Sequence, residues 1–252
     1  MIDKTAKQAI LEQFSQTLPA TPPDDGILLV DKPSGPTSHD IVYLVKKKYG
    51  LKVGHTGTLD PLASGLLILL LGQGTKRAKE FEGLDKVYEV EAVFGEARDT
   101  YDAEGTIMQN LKCKIQNLKS LCEDDIKAIL PEFTGPISQR VPPFSAVKIN
   151  GKALYRYARE GNPIPEDQLP VKEITIHELT LLDFHPVPKE ILEIKNFVLE
   201  IADAQLPIAR LQVHCSKGTY IRSLVHDLGM RLGVGAYVNK LRRIAVGGYQ
   251  LP

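Results

Sequence analysis

The order of apolar and polar residues divides the chain into short, clearly punctuated elements. Between Lys4 and Leu18, Ile10, Leu11, Phe14 and Leu18 recur at helical spacing, and Pro19, Pro22 and Pro23 stop the pattern. This predicts an appended helix within an N-terminal extension, residues 1–23. Gly26 to Val30 is an apolar run of strand length, followed by the turn residues Asp31-Lys32-Pro33-Ser34-Gly35-Pro36. Thr37 or Ser38 can then cap a helix that carries Ile41, Val42, Leu44, Val45 and Tyr49. Leu66 to Leu71 reads as a buried strand and Thr75 to Phe81 as a short basic helix. From Lys86 to Phe94 the pattern alternates, placing Tyr88, Val90, Ala92 and Phe94 on one face.

Asn150-Gly151 accepts the positive φ angles of a type I′ turn and marks a hairpin, with a helix through Tyr157 and Arg159 behind it. Glu173 to Phe184, Ile191 to Ile201 and Ile208 to Cys215 are strand-like. Thr219 to Leu232 sets Ile221, Leu224, Val225 and Leu228 on one helical stripe. Strands broken by single helices predict an α+β domain: a mixed, mainly antiparallel central sheet flanked by helices and loops.

Composition adds bounds. A chain of 252 residues, 43% hydrophobic and 25% charged, suits one globular domain of catalytic size. Cys113, Cys122 and Cys215 lack zinc-ligand spacing, so no metal is expected. The first residues mix acids with bases, and the longest apolar run, Leu66 to Leu71, is too short to span a bilayer. A cytoplasmic protein that does not contact membranes is the expectation.

Net charge is zero, which by itself argues against a nucleic-acid binder. Its distribution points the other way. Lys46 to Lys79, Arg140 to Arg159 and Arg210 to Arg243 carry local excesses of six, five and six positive charges. If these windows converge, the protein has a basic face suited to phosphates. Taken singly, each window is better explained as a solvated face.

Asp60 is the lone acid of the first window, within Gly54-His55-Thr56-Gly57-Thr58-Leu59-Asp60-Pro61-Leu62-Ala63-Ser64-Gly65. The following proline favours an extended or turn conformation and display of the carboxylate on a loop. Gly54, Gly57 and Gly65 would let backbone approach a bulky ligand, and His55, Thr56, Thr58 and Ser64 supply hydrogen-bonding groups. By spacing alone, a structural loop in which Asp60 caps backbone amides is the better explanation.

That segment resembles the catalytic motif of the tRNA pseudouridine synthase B family. Leu29-Val30-Asp31-Lys32-Pro33 resembles the family's first motif, Lys86-Val87-Tyr88 its tyrosine strand, and Ser145-Ala146-Val147-Lys148 with Gly151, Tyr155, Ala158 and Arg159 its hairpin motif. Cys215-Ser216-Lys217-Gly218-Thr219-Tyr220-Ile221-Arg222 and Leu241-Arg242-Arg243 resemble the last two. The blocks follow family order from about Gly26 to Tyr249. The resemblance implies the pseudouridine synthase fold over residues 24–252 and isomerisation of uridine-55 in the tRNA T-loop, with the base flipped out and no cofactor.

It also implies roles. Asp60 is the essential carboxylate, which either adds covalently or removes a sugar proton. Arg222 pairs with Asp60 and keeps it ionised. Tyr88 stacks on the target base and is placed to take the C5 proton. Tyr220 and Leu241 wall the uracil pocket, His55 contacts the flipped-out RNA, and Lys217 belongs to the substrate-binding set. Lys32 and Pro33 support the fold of the site, and the basic windows hold the T-arm backbone. The expected partner is tRNA, bound by a monomer with no obligatory protein partner.

Family members usually continue past Leu241-Arg242-Arg243 into a small RNA-binding domain of the PUA type, whereas this chain stops at Pro252. The first twenty-odd residues and the acidic stretch Asp183 to Asp203 look longer than the family core, and Arg140-Val141-Pro142-Pro143-Phe144 varies its proline pair. Two other functions compete with the leading one. A tRNA-binding folding chaperone would need no Asp60, Tyr88 and Arg222 set, and an RNA-guided pseudouridine synthase usually uses partner proteins and the C-terminal domain.

Overall fold

The computed structural model describes residues 3–108, 118, 120–186 and 206–251. In chain order the helices are α1 (Lys4–Thr17), α2 (Ser38–Tyr49), α3 (Ala78–Glu82), α4 (Glu123–Ile129), α5 (Leu154–Arg159) and α6 (Ile221–Leu232). The strands are β1 (Ile27–Lys32), β2 (Val53–His55), β3 (Ser64–Leu71), β4 (Lys86–Phe94), β5 (Gly135–Arg140), β6 (Lys148–Ile149), β7 (Lys152–Ala153), β8 (Val171–His185), β9 (Ile208–Cys215), β10 (Ala236–Val246) and β11 (Tyr249–Gln250). The strand expected at Ile191 to Ile201 and most of the acidic insertion lie outside the described residues. The basic helix expected from Thr75 begins earlier and winds differently, as a 3-10 turn over Gly72–Arg77 leading into α3.

The chain forms two compact units, Met1–Glu89 with Lys240–Pro252, and Val90–Asn239. In the first, β1 pairs antiparallel with β3 over six residues, from Ile27 opposite Leu70 to Lys32 opposite Gly65. β3 pairs parallel with β10 at Ser64–Arg242 and Gly65–Arg243, and β2 runs antiparallel along the other end of β3. β3 is consequently buried along nearly its whole length, which is why its sequence is a continuous apolar run rather than an alternating one. Leu66, Ile68 and Leu70 pack with Phe81 and Val246 to form the core.

The N-terminal helix is docked on α2. Phe14 and Leu18 are buried, Lys7 forms an ion pair with Asp40 at 2.7 Å, Lys48 donates to the Leu18 carbonyl at 2.8 Å, and the Tyr49 hydroxyl donates to the Pro19 carbonyl at 2.7 Å. Thr37 is the cap of α2 and forms a capping box with Asp40, which leaves Ser38 available for another task.

In the second unit, β8 pairs antiparallel with both β5 and β9, with bulges between Ile176 and Glu178 and between Leu181 and Asp183. The β6–β7 hairpin turns through Asn150 at φ 51° and Gly151 at φ 79°, the type I′ geometry expected from the Asn-Gly pair. α6 lays Leu224, Val225 and Leu228 into the core. Beside it, Tyr101, Ser138, Arg140, Glu166, Val171, Ser223 and Asp227 line a cleft of about 400 Å³. Burial, reinforced by Glu166 and opposed by Arg140, pushes the Asp227 carboxyl up to about 6.

Two stability measurements check this packing. Gly65 has φ +102°, and a Cβ there would lie 2.8 Å from the Arg243 amide nitrogen and closer still to its carbonyl oxygen. Gly65→Ala should therefore cost about 3 kcal/mol or more in urea denaturation, since both the conformation and the strand contact are lost. Asp227 binds its proton more tightly folded than unfolded, so its contribution to stability falls as pH rises from about 4 to about 6. Asp227→Asn should be more stable than wild type by about 2 kcal/mol at pH 7.5, and the gain should vanish as pH is lowered toward 4. A gain equal at both pH values would show that desolvated charge is not its origin.

Candidate active site

The candidate catalytic loop is built from the first unit. Asp60 sits half-exposed in the connection between β2 and β3, outside helix and strand as its proline neighbour predicts. The residues on both sides of it are clamped. Ser38, buried at the first turn of α2, donates its hydroxyl to the Leu59 carbonyl at 3.0 Å and accepts from the Leu59 amide at 2.9 Å. Gly35 N–H donates to the Pro61 carbonyl at 2.7 Å, and the Ser34 hydroxyl to the Leu62 carbonyl at 2.8 Å.

Lys32 closes the clamp from the end of β1. Its side chain is fully buried, and Nζ donates to the carbonyls of Ala63 at 2.7 Å, Pro33 at 2.8 Å and Pro61 at 3.3 Å. Burial pulls its ammonium down to about 8, opposed by the nearby charges of Asp60 and Asp40. A cation is thus stored beneath the Asp60 loop, fixing backbone rather than meeting solvent.

Arg243 does the same from β10. Only 2% exposed, its guanidinium donates to the Leu66 carbonyl at 2.8 Å and the Gly57 carbonyl at 3.1 Å. Gly65 belongs to this contact: its missing Cβ makes room for the Arg243 backbone rather than for a ligand. Gly54, by contrast, has open space where a Cβ would stand. His55, at the end of β2, has a buried Nδ1 with no hydrogen-bond partner among the described residues. Burial, then the charge of Arg243, then His39 lower its basicity, so it is a neutral imidazole at pH 7.

The same unit holds Tyr88 and Leu241. Tyr88 is 9% exposed on the buried face of β4 with Val90, Ala92 and Phe94, as the alternation predicts. Leu241 is buried on β10.

The second unit positions Arg222, Tyr220 and Lys217. Arg222, on the first turn of α6, is 5% exposed; Nη1 donates to the Thr100 carbonyl at 3.0 Å and lies 3.6 Å from Asp102 Oδ2, while Nη2 donates to the Phe144 carbonyl at 3.1 Å. Asp102 is itself held against β10 by paired bonds, Ala103 N–H to the Val238 carbonyl and Val238 N–H to the Tyr101 carbonyl. Asp102 and Thr100 carry no sequence signal that would single them out. Tyr220 exchanges two bonds with the Gln139 amide, at 2.8 and 3.0 Å. Lys217 stands exposed on the turn that follows β9.

The clamp predicts how the loop fails. Lys32→Met removes three charge-assisted bonds and strands buried carbonyls, so it should destabilise the fold by about 3 kcal/mol or more. Thermal and urea unfolding check this. Lys32→Arg should not restore stability, because a fully buried site has no room for the larger guanidinium.

The family description "TruB family pseudouridylate synthase (N terminal domain)" matches residues 44–221, and "tRNA pseudouridylate synthase B C-terminal domain" matches residues 222–252. The tRNA pseudouridine synthase B of Geobacillus thermodenitrificans is 42% identical over 229 residues, covering 90% of this chain and 68% of that protein. For the enzyme of that name from Haemophilus influenzae (strain PittEE) the figures are 42% over 226 residues, 89% and 64%, and for that from Aquifex aeolicus 41% over 223 residues, 88% and 68%.

Among solved structures, a chain of the Cbf5-Nop10-Gar1 complex superposes with a TM-score of 0.62 at 26% identity, covering 96% of this chain and 52% of that one. A chain from an H/ACA RNP bound to a substrate RNA containing 2'-deoxyuridine gives 0.59 at 24%, a likeness of fold alone. This chain therefore spans about two thirds of the curated relatives and about half of the structural ones. Its fold is the α+β pseudouridine synthase fold, and the chain belongs to the TruB family of pseudouridylate synthases.

Proposed function

We propose that this protein isomerises uridine to pseudouridine in tRNA, at position 55 of the T-loop, after flipping the target nucleotide out of the loop. The observation that carries the reading is the Asp60 loop: a half-exposed carboxylate whose flanking backbone is fixed by Lys32, Ser34, Ser38 and Gly35. Catalysis by one side chain needs a group that is reachable yet already oriented, and the Asp60 loop meets both conditions.

The reaction breaks the N1–C1′ bond, turns the detached uracil, forms C5–C1′, and moves the proton from C5 to a base while N1 gains one. Atoms and electrons balance within the nucleotide, so no external oxidant or reductant enters. Asp60 acts on the ribose or the base as its ionised form, by addition or by proton removal. Tyr88 stacks on the uracil and is the acceptor of the C5 proton. Arg222 is the counter-ion of Asp60, and its Thr100, Phe144 and Asp102 contacts fix the guanidinium in advance of substrate.

Tyr220 and Leu241 exclude water from the detached base. His55, held neutral, contacts the RNA by stacking or hydrogen bonding. Lys217, on its exposed turn, meets the RNA backbone. In this reading the protein acts on tRNA as a monomer in the cytoplasm, without a protein partner. Among the described residues no helix is long and apolar enough to cross a membrane.

Tritium release from C5-labelled uridine in unmodified tRNA tests the reaction. Wild type should release label to water and Asp60→Asn should lower the rate by about 10³-fold or more. No release by well-folded wild type would remove the assignment. Arg222→Ala should lose about 10²-fold or more in turnover while tRNA affinity changes only a few-fold, because its proposed partner is a carboxylate and not a phosphate. Comparable losses in both would contradict that role.

A further inference from the structure

One face of α2 is left over when the fold and the candidate site have taken their shares. The helix uses Ile41 and Val45 for the core and Ser38 for the Asp60 loop, and its flank with Asp40, Lys48 and Tyr49 receives the N-terminal helix. His39, Tyr43, Lys46 and Lys47 remain, at positions i, i+4, i+7 and i+8, which lie together along one side. All four are exposed, Tyr43 at 66%. None has a side-chain hydrogen bond, ion pair or ring contact among the described residues, and no acid interrupts the stripe.

A preference for cations at a helix C-terminus explains Lys46 and Lys47 in part. It does not explain a tyrosine ring held out in water between them and His39. The stripe also has a direction. At its N-terminal end His39 adjoins Ser38, whose hydroxyl is bonded to both the carbonyl and the amide of Leu59, the residue before Asp60. The exposed face thus runs away from the candidate catalytic loop within one unit.

We propose that His39, Tyr43, Lys46 and Lys47 form a track for the RNA strand next to the target nucleotide, with Tyr43 stacking on a base and the two lysines each meeting a phosphate. This rests on the reading that the protein acts on tRNA. RNA is favoured over an acidic protein because the stripe pairs an exposed aromatic face with point charges one helical turn away, the combination that base stacking and phosphate contact require. α2 is a rigid platform for it, fixed by a capping box at one end and a left-handed Gly50 cap at the other.

The test is binding of unmodified tRNA to the full chain, by fluorescence anisotropy over a series of KCl concentrations. Lys46→Ala/Lys47→Ala should weaken binding and lower the slope of log Kd against log salt by between about 1 and 2, the loss of two phosphate contacts. Tyr43→Ala should weaken binding about 5- to 10-fold with the slope unchanged, and Tyr43→Phe should bind as wild type. All four side chains are exposed, so unfolding midpoints should not move.

An unchanged slope in the lysine pair would overturn the track, as would Tyr43→Phe binding as weakly as Tyr43→Ala. Tritium release separates this from failure of the underlying reading. Normal release with no slope change removes the track alone, whereas tRNA binding that shows the slope change without any release removes the reaction and keeps the track.

Discussion

The buried ammonium of Lys32 is the constraint around which the first unit is organised. An amine taken wholly out of water is costly unless oxygen atoms replace its hydration, and here three carbonyls do so. Those carbonyls belong to Pro33, at the exit of β1, and to Pro61 and Ala63, on the far side of Asp60. One side chain therefore fixes the distance between the first strand and the loop. The surrounding features fit that arrangement: prolines at 33 and 61 have no N–H to satisfy, Ser38 takes Leu59, and the pairing of β1 with β3 brings the two segments into register.

Much of this was legible in the sequence where a local rule decides the outcome. The alternation from Lys86 to Phe94 placed Tyr88 on the buried face, Asn150-Gly151 gave its hairpin, and Thr37 or Ser38 marked the helix start, of which the fold uses Thr37. Contacts between distant segments were not legible from local patterns. Arg222 is tied to Phe144 and Thr100, which lie 78 and 122 residues away, and nothing near either residue announces the contact. Gly65 was legible as a special glycine but not for its purpose. A sequence shows that a Cβ is missing; only the fold shows that the Arg243 backbone occupies the space.

Formal charge along the sequence translates poorly into surface charge in this fold. Arg222 and Arg243 were counted as members of a basic window, yet both are buried and donate to backbone carbonyls. Arg242 is in a bidentate pair with Asp31, and Arg77 with Glu80. These cations act as struts, a use to which the planar guanidinium is well suited because its donors diverge in fixed directions. Formal charge along a chain therefore overstates the positive surface, and the exposed, unpaired members are the ones that matter for an RNA partner.

The parallel contact of Ser64 and Gly65 with Arg242 and Arg243 joins two segments far apart in the chain. During synthesis the Asp60 loop emerges with β1, α2 and β3, but its Arg243 strut follows 177 residues after Leu66. The nascent N-terminal segment can form its local pairs, yet the backbone at Gly57 and Leu66 lacks its buried donor until Arg243 has been made. The candidate catalytic loop is thus completed by a strand made long after it, so a message truncated shortly before codon 243 yields a protein with every motif residue from Lys32 to Arg222 and an unbraced loop.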